Sequence, residues 1–187
     1  MGKIVHKNNW FCIEEYIHTS KGSSKTYVRL LHQRNGSMII PVRRKKLVLE
    51  RQYRYNIGRS FIEIPGGGVE KYEDFMTAAN REVAEETGFT PVNMHYLFRT
   101  NLAPEFMGSS VYYFTCRLGK RTKRHLDITE RIVTKEILMA KALSMIRKGK
   151  IDTNLTLIGV LYYATFLMPK HGPKCANHLS GLSSRQV

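Results

Sequence analysis

The chain has 187 residues, 42% of them hydrophobic, enough for one domain with a substantial core. Thirty Lys and Arg against 15 Asp and Glu give a formal charge of +15, an excess suited to drawing in polyphosphate anions. No stretch approaches 18 uninterrupted apolar residues, and MGKIVHKNNW has no apolar signal region, so neither a transmembrane helix nor a secretory leader is expected. The Met-Gly start does not complete a myristoylation signal, because His6 stands where Ser or Thr is needed. Cys12, Cys116 and Cys175 are odd in number and far apart, which fits a reducing cytoplasm without disulfides.

In chain order, alternating runs predict strands at Trp10–Ile17, Thr26–His32, Ser37–Val42, Leu47–Tyr53 and Ser60–Ile64. Breaks fall at Lys21-Gly22-Ser23-Ser24, at Asn35-Gly36 and at the basic turn Arg43–Lys46. Phe75 to Thr87 predicts a helix: Phe75, Ala79 and Val83 recur on one stripe, Asp74 can cap the start and Gly88 can end it. Two further strands follow at Met94–Thr100 and Ser110–Arg117, then a polar, basic loop over Leu118–Leu126. Ile128–Thr134 reads as a strand and Leu138 to Lys148 as a helix stopped by Gly149. A last helix is expected from Thr153 to Phe166, capped by Asp152 and ended by Pro169. Residues 1–35 thus form an N-terminal β region, 36–168 the main domain, and 169–187 a flexible polar tail. His171, Cys175 and His178 in that tail lack a matching pair elsewhere and make a weak metal site.

The chemistry concentrates in Gly67 to Phe89. Gly67, Glu73, Arg81, Glu82, Glu85, Glu86 and Gly88 fit G-x5-E-x7-R-E-U-x-E-E-x-G-U, with Val83 and Phe89 as the bulky apolar residues U. With each residue type used at about 5–7%, seven such matches arise by chance in roughly one sequence per million, so coincidence is set aside. On a helix Glu82, Glu85 and Glu86 fall at i, i+3 and i+4, and their carboxylates share a face. Three like charges there repel one another; a hard divalent cation with oxygen ligands removes the conflict. Arg81 and Glu73 are expected to pair and tie the preceding loop to the helix. Gly66, Gly67 and Gly68 permit a tight turn and close approach, but no Gly-Lys-Ser/Thr follows, so this is not a P-loop.

This pattern resembles the Nudix box, the signature of Mg-dependent hydrolases of nucleoside diphosphates linked to another group. Outside the box, Arg51-Gln52-Tyr53-Arg54, Glu63-Ile64-Pro65-Gly66-Gly67, Pro104 fifteen residues past Phe89, and Leu143–Gly149 resemble the ADP-ribose pyrophosphatase branch, over roughly Thr26 to Phe166. The resemblance implies an α/β/α sandwich with a mixed central β-sheet, preceded by a small antiparallel β region. It implies Mg2+, with Mn2+ as a substitute, held by Glu82, Glu85, Glu86 and the Gly66 carbonyl, with Glu130 or a box glutamate as base. It also implies Arg54, Arg51 and Pro104 as substrate contacts, ADP-ribose as substrate, and a homodimer exchanging N-terminal strands such as Trp10–Ile17.

Two departures bear on substrate. The acidic run of the family is reduced to Asp127-Ile128-Thr129-Glu130 behind a basic loop, and Pro104 is followed by Glu105-Phe106-Met107-Gly108 rather than a Gly/Ser-rich stretch. The box holds six acids against two bases, so the remainder of the chain sums to +19. Arg43–Lys46 and Lys120–His125 fit either solvated loops or a surface for RNA phosphates. The same chemistry on another sugar nucleotide, a dinucleotide or capped RNA, and a non-catalytic nucleotide- or RNA-binding Nudix module, remain the alternative readings.

Overall fold

The computed structural model describes residues 2–8, 11–31 and 34–168. Trp10, His32 and the tail from 169 onward, with its His171, Cys175 and His178, lie outside the described residues.

A three-stranded antiparallel sheet, β1 (Lys3–Lys7), β2 (Cys12–Ser20) and β3 (Ser23–Leu31), opens the chain. Its β2–β3 register closes at Ser20 opposite Ser23, with Lys21 and Gly22 both at positive φ (52° and 77°), the two-residue hairpin turn that matches strand twist. β1 was not anticipated: Lys3–Lys7 mixes exposed charges and apolar residues without a clean period.

The second sheet is mixed. β4 (Gly36–Arg43), β5 (Lys46–Arg54), β6 (Arg59–Glu63), β7 (Gly66–Gly68), β8 (Phe89–Asn101), β9 (Ser110–Arg121) and β10 (Ile132–Ile137) make seven strands on the path β10-β5-β4-β9-β8, with β6 on β5 and β7 on β4. β4 and β9 run parallel from Gly36 opposite Val111 to Val42 opposite Arg117; the other pairings are antiparallel. β5 pairs with β4 only at Val42–Leu47 and Arg43–Lys46 before diverging toward β10 and β6. The basic turn is accommodated by Arg44 and Lys45 at φ 49° and 62°.

Period-two alternation sorts the sheet's side chains into two cores. Ile39, Val48, Tyr112, Phe114 and Cys116 pack with Ala79 and Val83 of α1 (Phe75–Thr87). Met38, Ile40, Leu47, Leu49, Val111 and Tyr113 pack with Met139, Ala142 and Met145 of α2 (Met139–Arg147) and Val160 of α3 (Asn154–Tyr162). The result is the expected α/β/α sandwich with a mixed sheet.

Several expected boundaries move. β10 begins at Ile132 rather than Ile128, because Glu130 N–H donates to the Asp127 carbonyl and closes a turn there. Asp152 does not cap α3; Thr153 holds that position without a side-chain bond, and Asp152 Oδ2 instead takes Arg59 Nη2 at 2.6 Å. α3 ends at Tyr162, and a π-helical stretch carries Tyr163–Leu167. β9 runs on to Arg121, through the first part of the expected basic loop.

Candidate metal centre

The helix that carries the box starts and stops where its residues dictate. Asp74 Oδ1 accepts the Thr77 N–H at 2.7 Å, and Gly88 ends α1 at φ 71° with its N–H on the Ala84 carbonyl. With about 100° of rotation per residue, Glu82 and Glu86 stand about 40° apart, beside the stripe of Phe75 and Ala79 that meets the sheet. They are accordingly buried, at 9% and 3% exposure, while Glu85, about 60° from Glu82 on the side away from Glu86, is half-buried.

Arg81 organises the outer half of the site. Its guanidinium forks onto Glu73 (Nε to Oε1 2.9 Å, Nη2 to Oε2 3.0 Å), and Nη1 reaches Glu82 Oε1 at 2.9 Å and Glu85 Oε2 at 3.0 Å. Nη2 also donates to the Gly68 carbonyl at 3.2 Å, joining the glycine turn to the helix. The expected Arg81–Glu73 pair is present, and it holds the Glu73 carboxyl below its ordinary value. Both glycines stand where a side chain would meet a neighbour. A Cβ on Gly67 would stand 2.4 Å from Glu82 Oε1, and one on Gly66, at φ 151°, would stand 2.3 Å from the Ser37 carbonyl oxygen.

The inner half is a negative cluster that its neighbouring cations offset only in part. Gly66 N–H donates to Glu86 Oε2 at 2.8 Å. Burial, then the charges of Glu50 and Glu82, push the Glu86 carboxyl well above the ordinary range. Burial also raises Glu82, against the pull of Arg81. Glu50, on β5, is pushed up to about 8 by burial and by Glu63, with Arg54 and Arg124 acting in the opposite sense. Glu130, whose Oε2 accepts the Asp127 N–H at 3.0 Å, adds its charge to Glu50, Glu82 and Glu86.

The donor set is hard oxygen throughout, and Glu50 Oε2 is buried with no hydrogen-bond partner. Such a cluster fits a divalent cation, which would supply the missing positive charge. Among the described residues no three carboxylates converge tightly enough to form a finished cage. Glu82 and Glu85 are turned to Arg81, and Glu86 to the Gly66 amide.

The expected substrate contacts are dispersed. Arg54 lies near Glu50 but is bound to Glu63 (Nε to Oε2 3.0 Å, Nη2 to Oε2 2.9 Å). Arg51, three residues earlier on the regular β5–β6 ladder, stands on the opposite face of the strand and is exposed. Pro104 lines a cavity of about 430 Å³ with Tyr16, Arg29, Leu30 and Phe106, next to the N-terminal sheet; no box residue lines it.

Glu50 and Arg124 were not singled out from the sequence. Glu50 was detectable as an acid on the buried stripe Val48-Glu50-Gln52, where alternation calls for apolar residues. Arg124 carried no such signal: it belongs to a run of basic residues and reaches inward only because the loop folds back, with Thr122 N–H on the Gly88 carbonyl and His125 N–H on that of Glu85.

Comparison with known proteins bears on the family and the fold. The chain is 32% identical over 119 residues to the methanol dehydrogenase activator of Bacillus methanolicus, and 28% identical over 119 residues to the ADP-ribose pyrophosphatase of Bacillus subtilis (strain 168). Each match covers 63% of this chain and 64% of the relative, so the chain spans less than two thirds of those proteins' length. A solved structure titled "Crystal structure of ADP compounds hydrolase" superposes with a TM-score of 0.80 at 20% identity, over 88% of this chain and 90% of that one, a likeness of fold. The family model described as NUDIX domain matches residues 32–141. With the box, the sandwich and this match in agreement, the chain belongs to the NUDIX family.

Proposed function

We propose that this chain is a divalent-metal-dependent pyrophosphohydrolase that converts ADP-ribose to AMP and ribose 5-phosphate. The observation that carries the reading is the buried Glu82–Glu86–Glu50 cluster, which holds more negative charge than its neighbouring cations offset. Glu82, Glu85, Glu86 and the Gly66 carbonyl would hold the ion, Mg2+ by preference with Mn2+ as a substitute. When bound, it supplies charge neutralisation at the pyrophosphate and a more acidic attacking water.

The protein's own residues do the rest. Arg81 orients Glu82 and Glu85, and the Gly66 amide orients Glu86. Glu130 takes the proton of the attacking water on a carboxylate oxygen. Arg54 exchanges its bond to Glu63 for a substrate phosphate oxygen, which its guanidinium fork suits; Arg51, on the other face, is left without that role. The Pro104 cavity, with Tyr16 and Arg29 in its wall, receives the far end of the substrate.

The relatives' names span ADP-ribose pyrophosphatase, ADP compounds hydrolase NudE of Escherichia coli (strain K12) and GDP-mannose pyrophosphatase of Yersinia pestis (strain Pestoides F). A different nucleotide sugar therefore stands as the second reading. A homodimer through the N-terminal sheet suits the exposed Ile4, Val5, Ile17 and Val28. A reducing cytoplasm suits the buried free thiols of Cys12 and Cys116, and no described helix is long and apolar enough to cross a membrane. Release of AMP from ADP-ribose with Mg2+, abolished by EDTA, tests the proposal; no release in either condition would reject it.

A further inference from the structure

β5 delivers a carboxylate to the α1 face that the box does not contain. Val48, Glu50 and Gln52 share one side of the strand, and all three are buried. Glu50 is 2% exposed, and its Oε2 has no hydrogen-bond partner. Its nearby cations leave it so: both Arg54 contacts go to Glu63, and Arg124 has Nε and Nη2 buried and unpartnered themselves. Val48, on the same side of β5, packs in one cluster with Ala79 and Val83 of α1, so that side of the strand turns Glu50 toward the helix that carries the buried Glu86, the carboxylate on which Glu50 acts among its charged neighbours. A buried anion beside another anion, with an unused oxygen, is strongly unfavourable unless a proton neutralises it or a cation joins them.

We propose that Glu50 is a fourth carboxylate ligand of the divalent cation, completing from β5 the set that Glu82, Glu85 and Glu86 supply from α1. The assignment rests on the metal-dependent reading above and extends it to a residue outside the signature.

Mn2+ titration of the full chain, followed by the electron paramagnetic resonance signal of the free ion, tests it with wild type, Glu50→Gln and Glu86→Gln. Glu50→Gln keeps volume and removes the charge; it should weaken Mn2+ binding by about tenfold to a hundredfold. Metal-free Glu50→Gln should melt at or above the wild-type temperature and gain less from added Mn2+. Glu50→Asp, which keeps the charge on a shorter arm, guards against a folding defect and should bind between wild type and Glu50→Gln. Wild-type affinity, within twofold, in Glu50→Gln while Glu86→Gln is impaired would overturn the role of Glu50 alone. Absence of Mn2+ binding by wild type would overturn the metal reading, and this assignment with it.

Discussion

The amide of Gly66 and the carboxylate of Glu86 are joined by a 2.8 Å hydrogen bond, which locks the turn before the box onto the penultimate residue of its helix. The residue that must bend the chain and the residue proposed to bind the cation are thus one unit. Disturbing either should be felt at the other.

Gly67→Ala should therefore damage function more than folding. Its Cβ would stand 2.4 Å from Glu82 Oε1, and the carboxylate is the part that can move. We expect turnover to fall at least tenfold with a melting-temperature change of a few degrees, about 1 kcal/mol for a domain of this size. Unchanged turnover would show that the position of Glu82 is not critical.

Arg81→Ala would release Glu73, Glu82 and Glu85 together. Because the guanidinium is partly exposed, the stability loss should be modest, about 1–2 kcal/mol, and smaller in high salt. Turnover should fall far more than stability. Chemical denaturation at two salt concentrations beside a rate assay separates the two effects.

Glu130→Gln should slow the chemical step by about a hundredfold or more while leaving metal affinity nearly intact. Loss of affinity would instead make Glu130 a ligand. Mn2+ titration with single-turnover kinetics distinguishes these outcomes.

Metal-free protein should become less stable as pH rises from about 5 to about 8. Glu50 titrates near 8 in the fold, and Glu86 is also raised. The folded state therefore binds protons that the unfolded chain has released, and stability falls with rising pH across that window. Below the unfolded carboxyl range the penalty is absent; above the folded values it is complete. Melting curves in EDTA check the slope, which should flatten in Glu50→Gln. Saturating Mg2+ should flatten it as well.

Much of this was legible in the sequence because the box spacing is read on a single helix. The i, i+3, i+4 glutamates, the Asp74 cap and the left-handed Gly88 are local features, and α1 spans the expected Phe75–Thr87. The central strands followed from alternation. What escaped depended on the tertiary fold. β7 is three glycines, with no side-chain pattern, made a strand only by pairing with β4. Glu50 is one acid on an apolar stripe until the fold sets it beside Glu86. Asp152 looked like a helix cap, but Arg59, 93 positions away, competes for it. The opposite facing of Arg51 and Arg54 was available from period-two alternation alone.

The most direct test is a nucleotide panel: ADP-ribose, ADP-glucose, GDP-mannose, NADH, diadenosine polyphosphates and capped RNA, each with Mg2+, read by chromatography for wild type and Glu86→Gln. The expected result is AMP released fastest from ADP-ribose by wild type, with no release by Glu86→Gln although that variant folds. Faster cleavage of another member would contradict the substrate assignment and keep the chemistry. Cleavage by Glu86→Gln within a few-fold of wild type would contradict the proposed metal centre itself.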